Sequence, residues 1–271
     1  MFTLINITAK EKKKQLEKLR PLTILLVEDN LLNAKLVAVL FAQQGLSLQL
    51  AANGQEAIEK IRSTPVDLVL MDMEMPVMNG YQATSIIRQQ LKSTIPIIAL
   101  TAHSLPGEKE KCIAYEMTDY VVKPLDPDQL FTSMYQAVYS SKLPAAKKRA
   151  AALPATVAAL ENVCNMDYLL KVTRGNKKNI NYIVSVFFKE TQKELTCLNK
   201  AIEKTNYPLI GDISHKIKSA FFILGIKVLD QVFTELELLS SNPSTVEKIK
   251  QLNSRINIVF KQARAEMKAY Q

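Results

Sequence analysis

Residues 23–72 read TILLVED (23–29), NLLNAKLVAVLFAQQ (30–44), LSLQLAA (46–52), GQEAIEKIRS (54–63) and VDLVLMD (66–72). Short β-rich runs alternate here with helix-length segments, which gives a βαβαβ pattern. The β-rich runs TILLVED and VDLVLMD are almost entirely apolar before their terminal carboxylates, as expected for parallel strands that are covered on both faces. The stretch therefore predicts a doubly wound α/β domain.

The same alternation continues along the chain to residue 139. A helix is expected near 81–91, the strand IPIIALT at 95–101, a helix near 108–115, the strand DYVVK at 119–123 and a helix at 126–139. Five strands and five helices result. We therefore expect residues 21–140 to form one domain with a five-stranded parallel sheet.

The pattern changes after residue 140. Residues 141–160 combine Pro, Ala and Lys without a core-facing period, which predicts a linker. Residues 161–271 show no strand pattern and carry four long amphipathic runs with short turns, at 178–204, 207–225, 227–240 and 245–270. These runs predict an antiparallel four-helix bundle. The expected fold class is thus α/β followed by all-α.

Charge is distributed unevenly along the chain. Residues 1–20, an extension with a strand candidate (FTLINI) and a Lys-rich helix, carry +4, residues 21–140 carry −5, and residues 141–271 carry +10. Two domains of opposite sign are well explained by mutual electrostatic steering. We therefore expect no nucleic-acid partner.

Composition excludes several classes of protein. The seven glycines fit neither G-x-G-x-x-G nor G-x-x-x-x-G-K, and only two histidines occur. The three cysteines form no paired spacing, which is typical of reduced cytoplasmic thiols. No apolar run approaches the length of a membrane span and the amino terminus does not resemble a secretory signal, so the expected location is cytoplasmic.

Three carboxylates are expected at one edge of the predicted sheet. Glu28 and Asp29 follow the first strand, and Asp72 ends the third. Ligands bind beyond the carboxyl ends of parallel strands, so these side chains should share one crevice. Crowded carboxylates repel one another, and a hard divalent cation, Mg²⁺ first, would relieve the repulsion. The alternative is that each carboxylate only caps the following helix.

The last two strands add a hydroxyl and a cation to this edge. Thr101 ends the fourth strand and Lys123 ends the fifth. With Asp72 as nucleophile and a metal to neutralise charge, these groups make a phosphoryl-transfer site. A second hypothesis from the same residues is a phosphatase that uses Asp72 on small phosphate esters.

Four motifs in residues 22–139 resemble, in order, those of response-regulator receiver domains: TILLVEDN, DLVLMDMEMPVMNG, IPIIALTA and DYVVKP. The resemblance implies a flavodoxin-like fold with Asp72 as the phosphoacceptor. It also implies that Mg²⁺ is the cofactor, held by Glu28, Asp29, Asp72 and the backbone carbonyl of Glu74.

The same resemblance assigns roles near the end of the sheet. It implies that Thr101 and Lys123 contact the phosphoryl group and that Tyr120 is the switch aromatic, although Tyr120 also suits an ordinary strand end. Glu116 departs from the family, which commonly has Gly there. If the backbone at Glu116 is left-handed, the side chain costs about 1 kcal/mol and loosens the preceding helix.

A histidine in the second domain is the other candidate site. In ISHKIKSAFFILG, a rotation of about 100° per residue directs Ile213, Ile217, Ala220 and Leu224 to the core and His215, Lys218, Ser219 and Phe222 to the other face. An exposed His with Lys at i+3 can hold a phosphoryl group, although an incidental surface His fits too. The His215, Lys218 and Gly225 spacing and the preceding FFKETQKEL resemble histidine phosphotransfer (HPt) domains, which makes His215 the phosphohistidine and Lys218 its cationic neighbour.

Three residues are candidates for docking between the domains. Phe222 lies two turns after His215 and forms an exposed patch or packs against a neighbouring helix. The first helix carries more apolar residues than one buried stripe needs, so Leu31 or Ala34 is expected to face outward near Asp72.

The leading hypothesis is phosphorelay signalling, with phosphate exchange between Asp72 and His215 within one chain or through partners. The combination resembles the carboxyl-terminal end of a hybrid sensor histidine kinase. It implies an upstream histidine kinase or kinase domain, a downstream receiver, and a place in the cytoplasmic part of a membrane-bound kinase. No H-E-x-x-T-P type motif or glycine-rich ATP lid occurs, so we expect no ATP-dependent kinase activity. The competing hypothesis is a scaffold bundle with an idle His215.

Overall fold

The computed structural model describes residues 8–101, 108–139, 163–240 and 246–270. The chain divides into two compact units, the first formed by residues 1–30 and 37–154 and the second by residues 155–271 together with the segment 31–36. The strand candidate at residues 2–7 and the expected linker at 141–160 lie outside the described residues.

A five-stranded parallel sheet forms the centre of the first unit. Its order is β2-β1-β3-β4-β5, and every neighbouring pair is parallel. This order is that of flavodoxin-like folds, whose ligands bind where the connection direction reverses. The prediction of a five-stranded parallel sheet is confirmed. The strands are Thr23–Val27 (β1), Ser47–Ala51 (β2), Leu68–Asp72 (β3), Ile97–Thr101 (β4) and Asp119–Val122 (β5).

The sheet is flanked by helices that follow the predicted alternation. Asn53 caps the helix that begins at Gly54, and Asn79 caps the helix that begins at Gly80. Each side chain accepts the backbone N–H of the residue three positions later, which satisfies a donor that has no partner in the first turn. These helices are Leu31–Ala42 (α2), Gly54–Ser63 (α3), Gly80–Gln89 (α4), Glu108–Ala114 (α5) and Pro127–Tyr139 (α6), after a first helix at Ala9–Leu19 (α1).

Side chains of the central strands alternate between the two faces of the sheet. Alternate residues of β1, β3 and β4, including Val27, Met71 and Ala99, pack with buried residues of α3, α4 and α5 in one cluster. The strands β1, β3 and β4 are almost entirely buried, which explains their nearly continuous apolar sequences.

Helix α1 packs against α6. Leu19 is fully buried, Lys12 Nζ lies 2.8 Å from Asp128 Oδ2, and the Tyr139 hydroxyl donates to the Lys18 carbonyl oxygen at 2.8 Å. The basic helix expected within residues 1–20 therefore exists and is part of the first unit.

Helices and short turns, and no strand, make up the described residues of the second unit. Helix α8 packs against α9 and α11, and α10 also packs against α9 and α11. One phenylalanine from each of these helices meets in the core: Phe187, Phe221, Phe233 and Phe260. The helices are Asp167–Thr173 (α7), Lys177–Glu203 (α8), Tyr207–Ile223 (α9), Asp230–Leu239 (α10) and Val246–Glu266 (α11), with 3₁₀ turns at Lys227–Leu229 and Met267–Tyr270.

Gly225 ends α9 as the sequence predicts. Its φ is +63°, and a Cβ at this position would lie 2.3 Å from the carbonyl oxygen of Asn165. Both the left-handed backbone and the close approach require glycine.

None of the helices within the described ranges is long and apolar enough to cross a bilayer.

Candidate functional site

The three carboxylates predicted at the sheet edge do come together. Glu28 and Asp29 directly follow β1, and Asp72 is the last residue of the adjacent β3. One carboxylate oxygen from each residue lies within 4.8 Å of the others. Glu28 and Asp72 are only 6% and 5% exposed. The edge of the sheet therefore holds a compact and largely buried cluster of negative charge.

Lys123 joins this cluster from the end of β5. Its Nζ lies 2.6 Å from Asp72 Oδ2 and 2.7 Å from Glu28 Oε2. Its backbone N–H donates to the carbonyl oxygen of Thr101 at 2.7 Å, which continues the pairing of β5 with β4. The ammonium is thus fixed between two carboxylates.

At both Asp72 and Lys123, burial and neighbouring charges shift the pKa in opposite directions. Burial raises the pKa of Asp72, and Lys123 and the Glu74 N–H partly offset that effect. Burial alone would lower the pKa of Lys123, but Glu28 and Asp72 outweigh burial and raise that pKa above its usual value. The lysine therefore stays charged and opposes protonation of the two carboxylates.

The loop after Asp72 packs closely against that residue. The Glu74 N–H donates to Asp72 Oδ1 at 3.2 Å. A Cβ on Gly80 would lie 2.5 Å from the Asp72 carbonyl oxygen, so only glycine fits at the start of α4. Between them, Val77 has φ +70° and the Met78 N–H donates to the Pro76 carbonyl oxygen at 2.8 Å. A γ-turn with a β-branched residue at positive φ is a strained conformation.

Thr101 and Tyr120 lie on the strands next to Asp72. Asp72 is in register with Leu100, so Thr101 lies one residue further along β4 and is buried. Tyr120 is partly buried and packs against the core cluster that contains Met117. Their predicted roles toward a phosphoryl group stay predictions.

The chemistry of the donor set fits a hard divalent cation. Three carboxylates offer oxygen ligands within a few ångströms of one another, next to the ammonium group of Lys123. Mg²⁺ prefers oxygen ligands and is held in proteins by a small number of carboxylates. Glu28, Asp29 and Asp72 are the residues that would hold it.

His215 lies near the middle of α9, as predicted, and its side chain is 29% exposed. The predicted core residues of this helix, Ile213 and Ile217 among them, are buried. Nδ1 of His215 lies 3.7 Å from Glu237 Oε1, and Lys218 Nζ lies 3.1 Å from Glu237 Oε2. A single carboxylate of α10 therefore faces both the histidine and its lysine.

Glu237 was not found by sequence reasoning. It lies 22 positions after His215 on a different helix, within the acidic stretch TELELL, and only the packing of α10 on α9 brings it near. Burial raises the pKa of Glu237, but the nearby His215 and Lys218 outweigh burial and hold the pKa below its ordinary value. Glu237 is therefore ionised at neutral pH.

The three docking candidates differ in their surroundings. Phe222 is partly buried and its ring packs edge-on against Tyr168 of α7, with centroids 5.6 Å apart. Leu31 is 47% exposed and Ala34 only 5%, so of the two alternatives Leu31 is the residue that faces outward. A helix turns by about 100° per residue, which places Ala34 on the side of α2 that carries the fully buried Phe41.

Comparisons with known proteins agree with this geometry. The family model of the response regulator receiver domain matches residues 24–135. The signal transduction histidine-protein kinase BarA of Escherichia coli is 37% identical over 110 residues, which are 40% of this chain and 12% of BarA. The sensor protein GacS of Pseudomonas syringae is 28% identical over 240 residues, which are 86% of this chain and 26% of GacS.

One solved structure is also similar. The N-terminal domain of a response regulator/sensory box/GGDEF protein from Carboxydothermus hydrogenoformans is 34% identical, covers 43% of this chain and 93% of its own, and gives a TM-score of 0.39. The chain itself spans only a small part of the length of BarA and GacS. Residues 24–135 are a response regulator receiver domain, homologous to the receiver domains of hybrid histidine kinases.

Proposed function

We propose that this chain is a phosphorelay protein in which Asp72 accepts a phosphoryl group in a Mg²⁺-dependent reaction and exchanges it with His215. The observation that carries the proposal is the buried Glu28–Lys123–Asp72 cluster at the functional end of a receiver sheet. The second unit would then be a four-helix HPt bundle. Its partners would be an upstream histidine kinase and a downstream receiver.

Asp72 has the surroundings that a carboxylate nucleophile needs. Its Oδ2 faces Lys123 and its Oδ1 accepts the Glu74 N–H, so both oxygens are oriented before a donor arrives. In the transfer, a bond forms between an Asp72 oxygen and phosphorus while the bond from phosphorus to the donor atom breaks. Lys123 compensates the charge on the phosphoryl oxygens. Bound Mg²⁺ would neutralise more of that charge.

His215 is suited to the second transfer. A carboxylate next to Nδ1 favours a proton on that nitrogen, which leaves the lone pair on Nε2 to attack phosphorus. The bond from phosphorus to the Asp72 oxygen then breaks as the bond to Nε2 forms. Lys218, three residues after His215, lies on the same helix face and supplies a cation next to the new phosphohistidine.

Sequence similarity to a single sensor protein supports a joint role for the two units. The aligned region of GacS spans 86% of this chain, which is more than the receiver domain alone and includes residues of the helical unit. Similarity that extends beyond the receiver domain is consistent with a relay between Asp72 and His215.

The proposal is tested by intact-mass measurement after incubation with acetyl phosphate and Mg²⁺. We expect one added phosphate, its loss in Asp72→Asn, and its retention in the matched control Asp67→Asn, whose side chain lies before β3 and accepts the Thr23 N–H. Site mapping should then find phosphate on His215 in the wild type and none in His215→Gln. Equal labelling of Asp72→Asn would overturn the assignment of the acceptor.

The same samples discriminate the competing hypotheses. Continuous turnover of a small phosphate ester without a stable adduct would favour the phosphatase hypothesis. Phosphate on Asp72 that never reaches His215 would favour an idle histidine in a scaffold unit.

A further inference from the structure

The end of α5 carries a left-handed residue that the family resemblance made unexpected. Glu116 has φ +57°. Its N–H donates to the Ile113 carbonyl oxygen and the Met117 N–H donates to the Cys112 carbonyl oxygen, each at 2.9 Å. These two bonds form the helix-ending arrangement that normally contains glycine. The expected consequence of a bulky residue here was a loosened α5.

Arg88 of α4 holds this helix end. Its Nε donates to the Glu116 carbonyl oxygen at 3.0 Å, and its Nη1 donates to the Ser93 carbonyl oxygen at 2.9 Å. One guanidinium thereby joins the end of α5 to the turn before β4. The planar fork of arginine suits two acceptors at fixed positions, which a lysine ammonium does not match.

A second contact joins α4 to the end of α5 two turns earlier on α4. The rings of Tyr81 and Tyr115 lie 4.8 Å apart between centroids, and Lys111 Nζ lies 5.9 Å from the Tyr81 ring centroid. Tyr81 and Arg88 are seven residues apart on α4 and therefore share one face. That face contacts α5 at Lys111, Tyr115 and Glu116.

The Tyr81 end of this contact begins at the acceptor loop. Tyr81 directly follows Gly80, where an added Cβ would lie 2.5 Å from the Asp72 carbonyl oxygen. A change in the loop after Asp72 would therefore displace the start of α4, and Tyr81 would pass that displacement to Tyr115.

We propose that Tyr81, Arg88, Tyr115 and Glu116 form an α4–α5 clamp, a conformational device that holds α5 in place despite its left-handed end and couples it to the acceptor loop. The holding function concerns the resting protein. The coupling function rests on the proposed phosphorylation of Asp72.

Hydrogen exchange of the full chain tests the holding function. The reporters are the amides of Tyr115, Glu116 and Met117, which close the end of α5. We expect Tyr81→Leu and Arg88→Lys to increase their exchange rates roughly tenfold, because each variant removes one contact that opposes local opening. The matched controls Tyr182→Leu on α8 and Arg62→Lys on α3 should leave these rates unchanged.

Two outcomes would overturn the holding function: unchanged rates in both clamp variants, or equal increases in the controls. Tyr115→Ala provides a third variant that does not depend on the buried side of α4, because Tyr115 is largely exposed. It should accelerate exchange of the same amides while exchange in β3 and β4 stays as in the wild type.

The coupling function is tested by the same hydrogen-exchange measurement after addition of Mg²⁺ and acetyl phosphate. In the wild type, phosphorylation should change the exchange rates of these three amides. In Tyr81→Leu, the change should be at least threefold smaller at equal labelling of Asp72. An identical change in wild type and variant would reject the coupling. Absence of a mass increase would instead count against the proposed function, and the resting rates would still decide whether the clamp holds α5.

Discussion

At the scale of single residues, Lys123 is the side chain on which the charge balance of the acceptor site depends. It is the cation that contacts both Glu28 and Asp72, which are almost inaccessible to water. Removing one partner of a buried ion pair leaves an uncompensated charge, which is far more costly than the net gain from the intact pair. This asymmetry gives the site a measurable stability signature.

We expect Lys123→Ala to lower the free energy of unfolding by about 3 kcal/mol at neutral pH in the absence of divalent cations. Saturating Mg²⁺ should restore more stability in this variant than in the wild type, because at neutral pH the metal would replace the positive charge that Lys123 supplied to the carboxylates. The loss should also shrink at acid pH, where the carboxylates protonate. Urea denaturation with and without Mg²⁺ measures all three effects.

Lys92→Ala is the matched control for that experiment, because Lys92 lies in an exposed turn. It should change stability by less than about 0.5 kcal/mol and should not alter the response to Mg²⁺. A similar loss in both variants would mean that Lys123 contributes only ordinary surface charge.

Two cysteines of the helical unit lie in different surroundings, Cys164 partly buried and Cys197 exposed. Burial, with a smaller contribution from the Glu266 carboxylate, raises the pKa of Cys164 from its ordinary value of 9.0 to about 12. The same carboxylate accepts the Cys164 N–H at 3.0 Å, which fixes the negative charge nearby. Cys197 is exposed on α8. Because the thiolate is the reactive form, the two residues should react at different rates.

We expect iodoacetamide at about pH 8.5 to modify Cys197 well before Cys164, as followed by peptide mass spectrometry. A raised pKa favours the protonated thiol in the folded state. Its contribution to stability is therefore complete below pH 9.0 and is lost as the pH rises toward about 12. Glu266→Gln should narrow the difference in alkylation rate, and equal rates in the wild type would contradict the assignment.

At the scale of elements, the left-handed residue at the end of α5 has an energetic cost that can be removed. Only glycine adopts this backbone conformation without strain, and Glu116 has φ +57°. We expect Glu116→Gly to raise the free energy of unfolding by about 1 kcal/mol, since the hydrogen bond from Arg88 goes to the backbone carbonyl and is kept in the variant. Chemical denaturation measures the change.

The control for that substitution lies within the same helix. Glu110 is exposed in α5, and Glu110→Gly should lower stability by up to about 1 kcal/mol because glycine disfavours the helix interior. If both substitutions destabilise the protein equally, the strain at Glu116 does not exist.

Local pattern was sufficient to predict most elements of the first unit. Short, nearly continuous apolar runs between helix-length segments predicted β1, β3 and β4 to within a few residues. These strands are covered on both faces, and their sequences are correspondingly apolar. The positions of Asp72 and Lys123 followed from strand order, since the carboxyl ends of parallel strands share one edge.

Contacts between distant elements could not be predicted in the same way. The Arg88 guanidinium binds a carbonyl 28 residues away, and carbonyl positions are invisible in a sequence pattern. Glu237 reaches His215 only because α10 packs on α9. The apolar sequence of α2 left Leu31 and Ala34 as alternatives for an outward position, because small apolar side chains give little information about helix orientation, and the structure shows that Leu31 is the more exposed of the two.

At the scale of the whole molecule, the two proposed partners in the relay carry net charges of opposite sign. Residues 21–140 carry −5 and residues 141–271 carry +10. Opposite net charges accelerate encounters between surfaces, and salt screens this acceleration once the Debye length becomes shorter than the approach distance. Transfer between molecules should therefore depend on ionic strength.

Two single variants isolate transfer between molecules. His215→Gln retains Asp72, and Asp72→Asn retains His215, so phosphate can move from the first to the second only in trans. We expect the rate of transfer to fall several-fold between roughly 20 and 200 mM salt. The rate is measured after His215→Gln has been labelled with acetyl phosphate and Mg²⁺ and the acetyl phosphate has been removed.

Phe222→Ala in the acceptor chain should slow transfer at every salt concentration if the Tyr168–Phe222 pair contacts the donor chain, and Tyr182→Leu serves as its surface control. A rate independent of salt would exclude steering by net charge, whereas an unchanged rate in Phe222→Ala would exclude the aromatic pair from the docking surface.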